Sequence, residues 1–345
     1  PESISLLLTD RGGGADRPMG VFTGDFMFVG SVGRPDLLET AAGVVGSAEE
    51  GAYRLFESLK WFRELPDYLQ VWPAHGAGSA CGKGLGAVPS TTVGYERLFN
   101  PAFQYNAERA FVDYILADQP ETPPYFAEMK RVNKVGPKLI RELPAAAALP
   151  PAELGSISRE HLVIDTAASE EYAAAHVPGT INLPLESLVQ WAGFFVDYRR
   201  PVFLLTEGPQ LEQALRALRS IGIDDVGGYF EAQAVREAGL RSQAYRSKTV
   251  KELRGSIERG AVQVLDVRAD TEFRAGHIPG AKHRYLGNLM KRPAAVELDR
   301  PVVVHCLGGA RSAIAASVLQ RDGYEVTNMT GGYRAWADQG FPTAV

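Results

Sequence analysis

The second half of the chain repeats itself. The stretch from Val163 to Gly179 matches the stretch from Val264 to Gly280 at an offset of 101 residues, pairing Asp165 with Asp266, Glu171 with Glu272, Tyr172 with Phe273, His176 with His277 and Pro178 with Pro279. Further on, the apolar run from Pro201 to Leu205 matches that from Pro301 to His305, and Gly227-Gly228-Tyr229 matches Gly331-Gly332-Tyr333. Self-similarity of this kind means two copies of one domain, each with its own core. At 345 residues the chain exceeds one ordinary core, and about 150 residues per domain leaves room for a further domain ahead of the repeat.

Within the second copy, short β-branched runs alternate with helical stretches. The pattern predicts strands over Gln263–Val267, Val302–His305 and Glu325–Asn328, with helices over Thr271–Ala275, Ser312–Asp322 and Tyr333–Gln339. That order implies a parallel sheet covered on both faces. Cys306 then falls at the C-terminal end of a strand, where open α/β sheets place their ligands.

Cys306 opens the loop Leu307, Gly308, Gly309, Ala310, Arg311, Ser312 and leads straight into a helix. A thiol there faces free N–H groups and the positive end of a helix dipole, which favours the thiolate. The glycine pair lets amides turn toward a bound anion, and Arg311 adds a permanent charge. A buried inert cysteine is the commoner fate of a free thiol. Strand, glycines, arginine and helix in one register favour the nucleophile instead.

The copies differ where chemistry would occur: Cys306 corresponds to Thr206, Gly309 to Pro209, Arg311 to Leu211 and Arg268 to Ala167. The first copy keeps its scaffold and lacks the nucleophile and anion ligand. Arg268, unique to the second copy, is a candidate to orient the loop or the donor anion. His176 and His277 are shared, so they cannot account for chemistry confined to one copy, and a turn-stabilising hydrogen bond is expected of both. His305 should point away from the thiol on an alternating strand.

Net charge is −5 with no basic block, which argues against nucleic acid. No apolar run reaches the ~20 residues of a membrane helix. The two cysteines, Cys81 and Cys306, lie in unlike contexts, so a disulfide framework is not expected and a reducing cytoplasm is.

Ahead of the repeat, Leu6–Leu8 and Val21–Asp25 read as strands joined by the turn Gly12-Gly13-Gly14, followed by a helix over Ala48–Phe62. A further strand from Val71 ends at His75 in a Gly-rich loop that carries Cys81. Asp25 and His75 at strand ends suit either a metal cleft or capping and turn roles. Cys81 suits either sulfur relay at the same cleft or plain packing. Residues 94 to 141 look helical, and a Pro/Ala linker follows.

Several of these strings resemble known families. The Cys306 loop resembles that of rhodaneses, sulfurtransferases that hold sulfur as a cysteine persulfide; Cys-based phosphatases place five residues between Cys and Arg, and here there are four. The first copy resembles an inactive rhodanese. The stretch Thr23-Gly24-Asp25 to Asp36 and the loop after Pro73 resemble metal motifs of the metallo-β-lactamase fold, in the branch of persulfide dioxygenases and glyoxalase II. That resemblance implies metal ligands at Asp25, the carboxylate ligand of Fe(II) or alternatively Zn, and at His75, a ligand for the second metal of zinc or dinuclear members that mononuclear iron dioxygenases do not use. It also implies thiol-substrate binding at Arg34 and a helical cap over residues 94–141. The branch's His-x-His-x-Asp-His string is absent, so the remaining ligands are expected outside this chain and part of the N-terminal domain is expected to be missing.

The implied architecture is a multi-domain α/β chain. A partial metallo-β-lactamase αββα sandwich (1–141) and a linker (142–156) precede two rhodanese-like doubly wound parallel-sheet domains, inactive (157–243) and active (244–345). The order resembles bacterial persulfide dioxygenase–rhodanese fusions, implying oxidation of a low-molecular-weight thiol persulfide to sulfite coupled to thiosulfate formation or use through Cys306, in a cytoplasmic homo-oligomer. Two alternatives stand: a glyoxalase II-like thioester hydrolase fused to rhodanese, and a non-enzymatic sulfur-responsive scaffold.

Overall fold

In the computed structural model of the chain, residues 3–41, 43–77, 79, 81–291 and 295–345 are described. They fall into two units, residues 1–127 and 128–345. In the first, β1 (Leu6–Leu8) and β2 (Gly20–Gly24) form the expected antiparallel hairpin, and β3 (Met27–Phe28) pairs with β4 (Ser31–Val32) in a small second one. After helix Ser47–Arg63 the chain returns as β5 (Gln70–Pro73), parallel to β2, with β6 (Thr91–Thr92) antiparallel on its far side. The crossover helix turns Ala52, Phe56, Leu59 and Phe62 inward, a helical stripe buried with Val21, Val71, Phe103 and Phe111. Helices Val93–Phe99, Glu108–Leu116 and Tyr125–Val135 occupy the stretch expected to be helical.

The second unit holds two all-parallel sheets. In the first copy β7 (Leu162–Asp165), β8 (Ile181–Asn182), β9 (Val202–Thr206) and β10 (Val226–Glu231) lie in the order β10-β9-β7-β8. In the second, β11 (Arg246–Thr249), β12 (Gln263–Asp266), β13 (Lys282–His283), β14 (Val302–His305) and β15 (Val326–Thr330) lie in the order β11-β15-β14-β12-β13. The central strands β9 and β14 are buried along their whole length, which is why they read as unbroken apolar runs.

Two expectations need correction. Residues 142–156, read as linker, are in part a sheet edge: Tyr229 N–H donates to Ala147 O at 2.9 Å and Leu149 N–H to Tyr229 O at 2.8 Å, as β11 pairs with β15 in the other copy. Alanine and proline hid this pairing, a single β-bridge between Ala148 and Tyr229, because one edge contact leaves no apolar alternation to read. The matching of Gly227-Gly228 to Gly331-Gly332 also fails. Gly227 and Gly228 lie inside β10 at a bulge, where a Cβ on Gly228 would come within 2.8 Å of Leu149, whereas Gly331 and Gly332 follow β15 at the start of helix Gly332–Asp338. The first pair makes room for packing and the second serves the Cys306 loop.

No helix among the described residues is long and apolar enough to cross a membrane.

Candidate active site

Cys306 follows the last residue of β14 and precedes helix Ala310–Arg321, so its side chain lies at the strand-to-helix turn. Gly309, at φ 113° and therefore in the left-handed region, aims its N–H at the sulfur and donates to Sγ at 3.0 Å. The Ser312 hydroxyl donates to Asn328 Oδ1 at 2.7 Å and lies 3.7 Å from the same sulfur. Cys306 is 2% exposed, so a small donor must enter the loop to reach it.

Arg311 closes the loop. Its two terminal nitrogens donate to Glu272 at 2.6 and 2.8 Å, and its charge is also favoured by the nearby Cys306 sulfur. Burial works against the guanidinium's charge, but Glu272 and Cys306 outweigh it and hold Arg311 above its ordinary range. Burial likewise opposes the Glu272 carboxylate, and Arg311 outweighs it and holds that group low. The far side of the loop is tied by helix Gly332–Asp338: Tyr333 N–H donates to Cys306 O at 2.7 Å and Arg334 N–H to Leu307 O at 3.0 Å. Gly332 permits this approach, since a Cβ there would stand 2.3 Å from Cys306 O.

Arg268 lies beneath this layer and does not reach the sulfur through any bond among the described residues. Its guanidinium is 2% exposed in its side chain, grips Asp266 at 2.6 to 3.0 Å, donates to Gly276 O at 2.7 Å and stacks 4.0 Å from the Tyr333 ring. It therefore bears on the loop through Tyr333, as a positioning residue. His305, wholly buried, has Nδ1 3.2 Å from Cys306 O and Nε2 3.6 Å from Asp266 Oδ2; burial pushes it down and keeps it neutral. His176 and His277 each turn Nδ1 to the carbonyl four residues back, Tyr172 O at 2.8 Å and Phe273 O at 3.1 Å, closing the short helix before the turn.

In the first copy the equivalent cradle is filled from within. Thr166 donates to Thr206 at 2.8 Å, and the Glu231 carboxylate accepts Gly208 N–H at 3.0 Å, where an anion would otherwise sit. Glu171, the counterpart of Glu272, pairs with Arg241 at 2.6 Å and with Arg236 at 3.3 Å.

In the N-terminal unit, Asp25 follows β2 and His75 follows β5, and because those strands are parallel neighbours their ends meet: His75 Nε2 lies 2.9 Å from Asp25 Oδ1. Gly24 at φ 56° and Gly33, whose Cβ would stand 2.0 Å from Asp25 O, make the tight turn that delivers Asp25. Asp25 foremost, then Cys81, push the His75 imidazole up to about 10. Its hydrogen bond to His75 holds Asp25 low; at Cys81 burial raises the thiol, but His75 and Ser79 outweigh it and lower it. Asp25 and His75 are two ligand-type side chains meeting at the strand ends, and the described residues contain no group of three or more His, Cys, Asp or Glu placed to hold an ion, so a metal here would need further ligands. Gly78 and Ala80 of this loop lie outside the described residues. Arg34, read as a substrate ligand, is 8% exposed and bound to Asp36 at 2.6 and 3.0 Å and to Thr122 at 3.1 Å.

Residues 249–339 match the model of the rhodanese-like domain. The thiosulfate sulfurtransferase GlpE of Shewanella oneidensis is 34% identical over 94 residues, covering 27% of this chain and 93% of that protein. The chain belongs to the rhodanese family. A protein of Bacillus subtilis, YqhL, is 34% identical over 101 residues, covering 28% of this chain and 80% of that protein. A crystal structure described as a metallo-β-lactamase from Staphylococcus aureus shares 40% identity at a TM-score of 0.58, covering 67% of this chain. The chain spans 63% of that structure's length. This rhodanese-family chain thus joins metallo-β-lactamase-fold and rhodanese-like parts.

Glu272, Tyr333 and Gly332 were missed as site residues. Glu272 was visible as a repeated acid, but only the fold reveals that its partner is Arg311.

Proposed function

We propose that the protein transfers sulfane sulfur through a persulfide on Cys306. The thiolate attacks the outer sulfur of thiosulfate or of a low-molecular-weight thiol persulfide. The S–S bond of the donor breaks, sulfite or the carrier thiolate leaves with the electron pair, and Cys306 keeps the sulfur. A thiophilic acceptor, sulfite or a thiol, then takes that sulfur and restores the thiolate. The observation that carries this reading is the sulfur's setting: Gly309 N–H at 3.0 Å and Arg311 beside it supply the compensation that a persulfide anion or an arriving oxyanion needs. Thiosulfate:cyanide sulfur transfer by the wild type, with loss of both turnover and cyanide-releasable sulfur in Cys306→Ser, is the expected result. Unchanged transfer in that variant would leave the scaffold reading standing.

We further propose that the metallo-β-lactamase-fold part supports oxidation of a thiol persulfide by O2 and water, the outer sulfur leaving as sulfite and the carrier as its thiol with release of two protons, at an Fe(II) site. The sulfite would give Cys306 an acceptor at raised effective concentration on the same chain. The likeness to the staphylococcal structure, 40% identical over 67% of this chain, supports the fold on which this reading rests. Asp25 and His75 would need ligands beyond themselves, so the test is iron content together with O2 uptake on glutathione persulfide. Zinc content and hydrolysis of lactoylglutathione without O2 uptake would favour the hydrolase instead.

A further inference from the structure

The helix that begins beside Cys306 is buried all round. Ser312 to Leu319 are each at most 3% exposed, whereas a helix lying on one face of a sheet ordinarily keeps a polar outer stripe. The matching helix of the first copy, Leu211–Ser220, keeps one, with Glu212, Gln213, Arg216 and Ser220 exposed. Helix Ala310–Arg321 lacks it because the first copy and the segment that joins the copies cover its outer side. From the first copy, Asn182 N–H donates to Ser317 Oγ at 2.9 Å; from the joining segment, the Tyr245 hydroxyl donates to Ala313 O at 3.3 Å and Ala244 O accepts from the Gln320 amide at 2.8 Å.

The Asn182–Ser317 bond lies deepest, between residues 0% and 1% exposed. Asn182 ends β8, the edge strand of its sheet, and its outward N–H would be buried without a partner unless the second copy supplied one. Its side chain is fixed on the other side, donating to Asp165 O at 3.1 Å and Ala167 O at 2.8 Å. Ser317 stands where the first copy has Ala217, so the hydroxyl is peculiar to the active copy's helix.

We propose that Asn182 and Ser317 are positioning residues for the Cys306 loop. The first copy, which lacks the nucleophile, anchors the end of β8 through the bonds of Asn182 to Asp165 O and Ala167 O. That strand end fixes the axial placement of helix Ala310–Arg321, whose first turn brings Gly309 N–H and Arg311 to the sulfur. This rests on the sulfur-transfer reading above.

The test uses the full-length protein with Ser317→Ala and Ser317→Thr. We expect Ser317→Ala to lower kcat for thiosulfate:cyanide transfer about tenfold with KM changed less than about twofold. It should also shift the pH profile of alkylation at Cys306, followed by mass on the Cys306 peptide, and Ser317→Thr should restore both. The proposal is overturned if Ser317→Ala keeps its kcat and alkylation profile, or if its loss tracks the unfolded fraction and Ser317→Thr fails to restore it. Absence of sulfur transfer in the wild type would instead sink the functional reading, while the alkylation profile would still report on positioning.

Discussion

Glu272 holds both terminal nitrogens of Arg311, and the same carboxylate accepts Ala269 N–H at 3.0 Å, so the loop's only arginine is tied to the helix that follows β12. The pair is part-buried, at 24% and 29% side-chain exposure, where an ion pair orients more than it stabilises. An arginine that must meet an incoming anion is thereby held in place before the anion arrives.

Glu272→Gln keeps the shape and removes the charge. It should cost about 1 kcal/mol of stability near neutrality and lower kcat/KM for sulfur transfer about tenfold. The sign with pH follows from the depressed carboxyl: its contribution is present above the ordinary carboxylate range and is lost as pH falls through the lower folded value. Wild type and variant should therefore converge in denaturant midpoint only once pH has fallen below the ordinary carboxylate range.

Gly332 is required for a reason that no side-chain contact conveys. At φ 55°, with a Cβ 2.3 Å from Cys306 O, alanine cannot be placed without moving the loop carbonyl. Gly332→Ala should lose about 2 kcal/mol or more, and its sulfur-transfer rate should fall further than the folded fraction explains. Calorimetry beside the cyanide assay separates the two effects, and equal loss in both would mean that the loop geometry is not catalytic.

Arg268 and Asp266 form a buried pair that only one copy has. Arg268→Ala leaves Asp266 wholly buried beside a neutral His305 and should cost about 3–5 kcal/mol, seen as a large drop in the urea midpoint. Replacement by Met should cost less at low pH, where Asp266 can be protonated. Sulfur transfer in the fraction that folds should be reduced but not abolished, because Arg268 acts on the loop only through Tyr333.

The parts of this molecule that were legible in sequence are those written in local pattern. β14, helix Ala310–Arg321 and the Cys306 loop are continuous in the chain, so run length, glycines and a charge in register were enough to place them. Asp25 and His75 could be set side by side because a strand, helix, strand order makes their strands parallel neighbours. The β-bridge at Ala148 was not legible, since its partner, Tyr229, lies far along the chain. Nor was the Arg311 clamp: Glu272 recurs in both copies, and in the first the same acid serves Arg241, so repetition alone could not name its partner.

Asp165 shows what the first copy lost with its arginine. It is 1% exposed, its Oδ2 has no hydrogen-bond partner among the described residues, and the position of Arg268 is taken by Ala167. Burial raises the carboxyl from 3.8 to about 6, more than the Ala167 N–H and Arg241 bring it down. A folded value above the unfolded one means that this group's contribution is full below about pH 4 and is lost as pH rises through about 6. By linkage the loss approaches about 3 kcal/mol at pH 8. Asp165→Asn removes the charge and keeps an acceptor for Ala167 N–H. It should match the wild type in denaturant midpoint at pH 4 and exceed it at pH 8 by most of that amount, with sulfur transfer at Cys306 unchanged. A variant less stable than the wild type at pH 8 would mean that the buried carboxylate has a partner in solution that outweighs its desolvation.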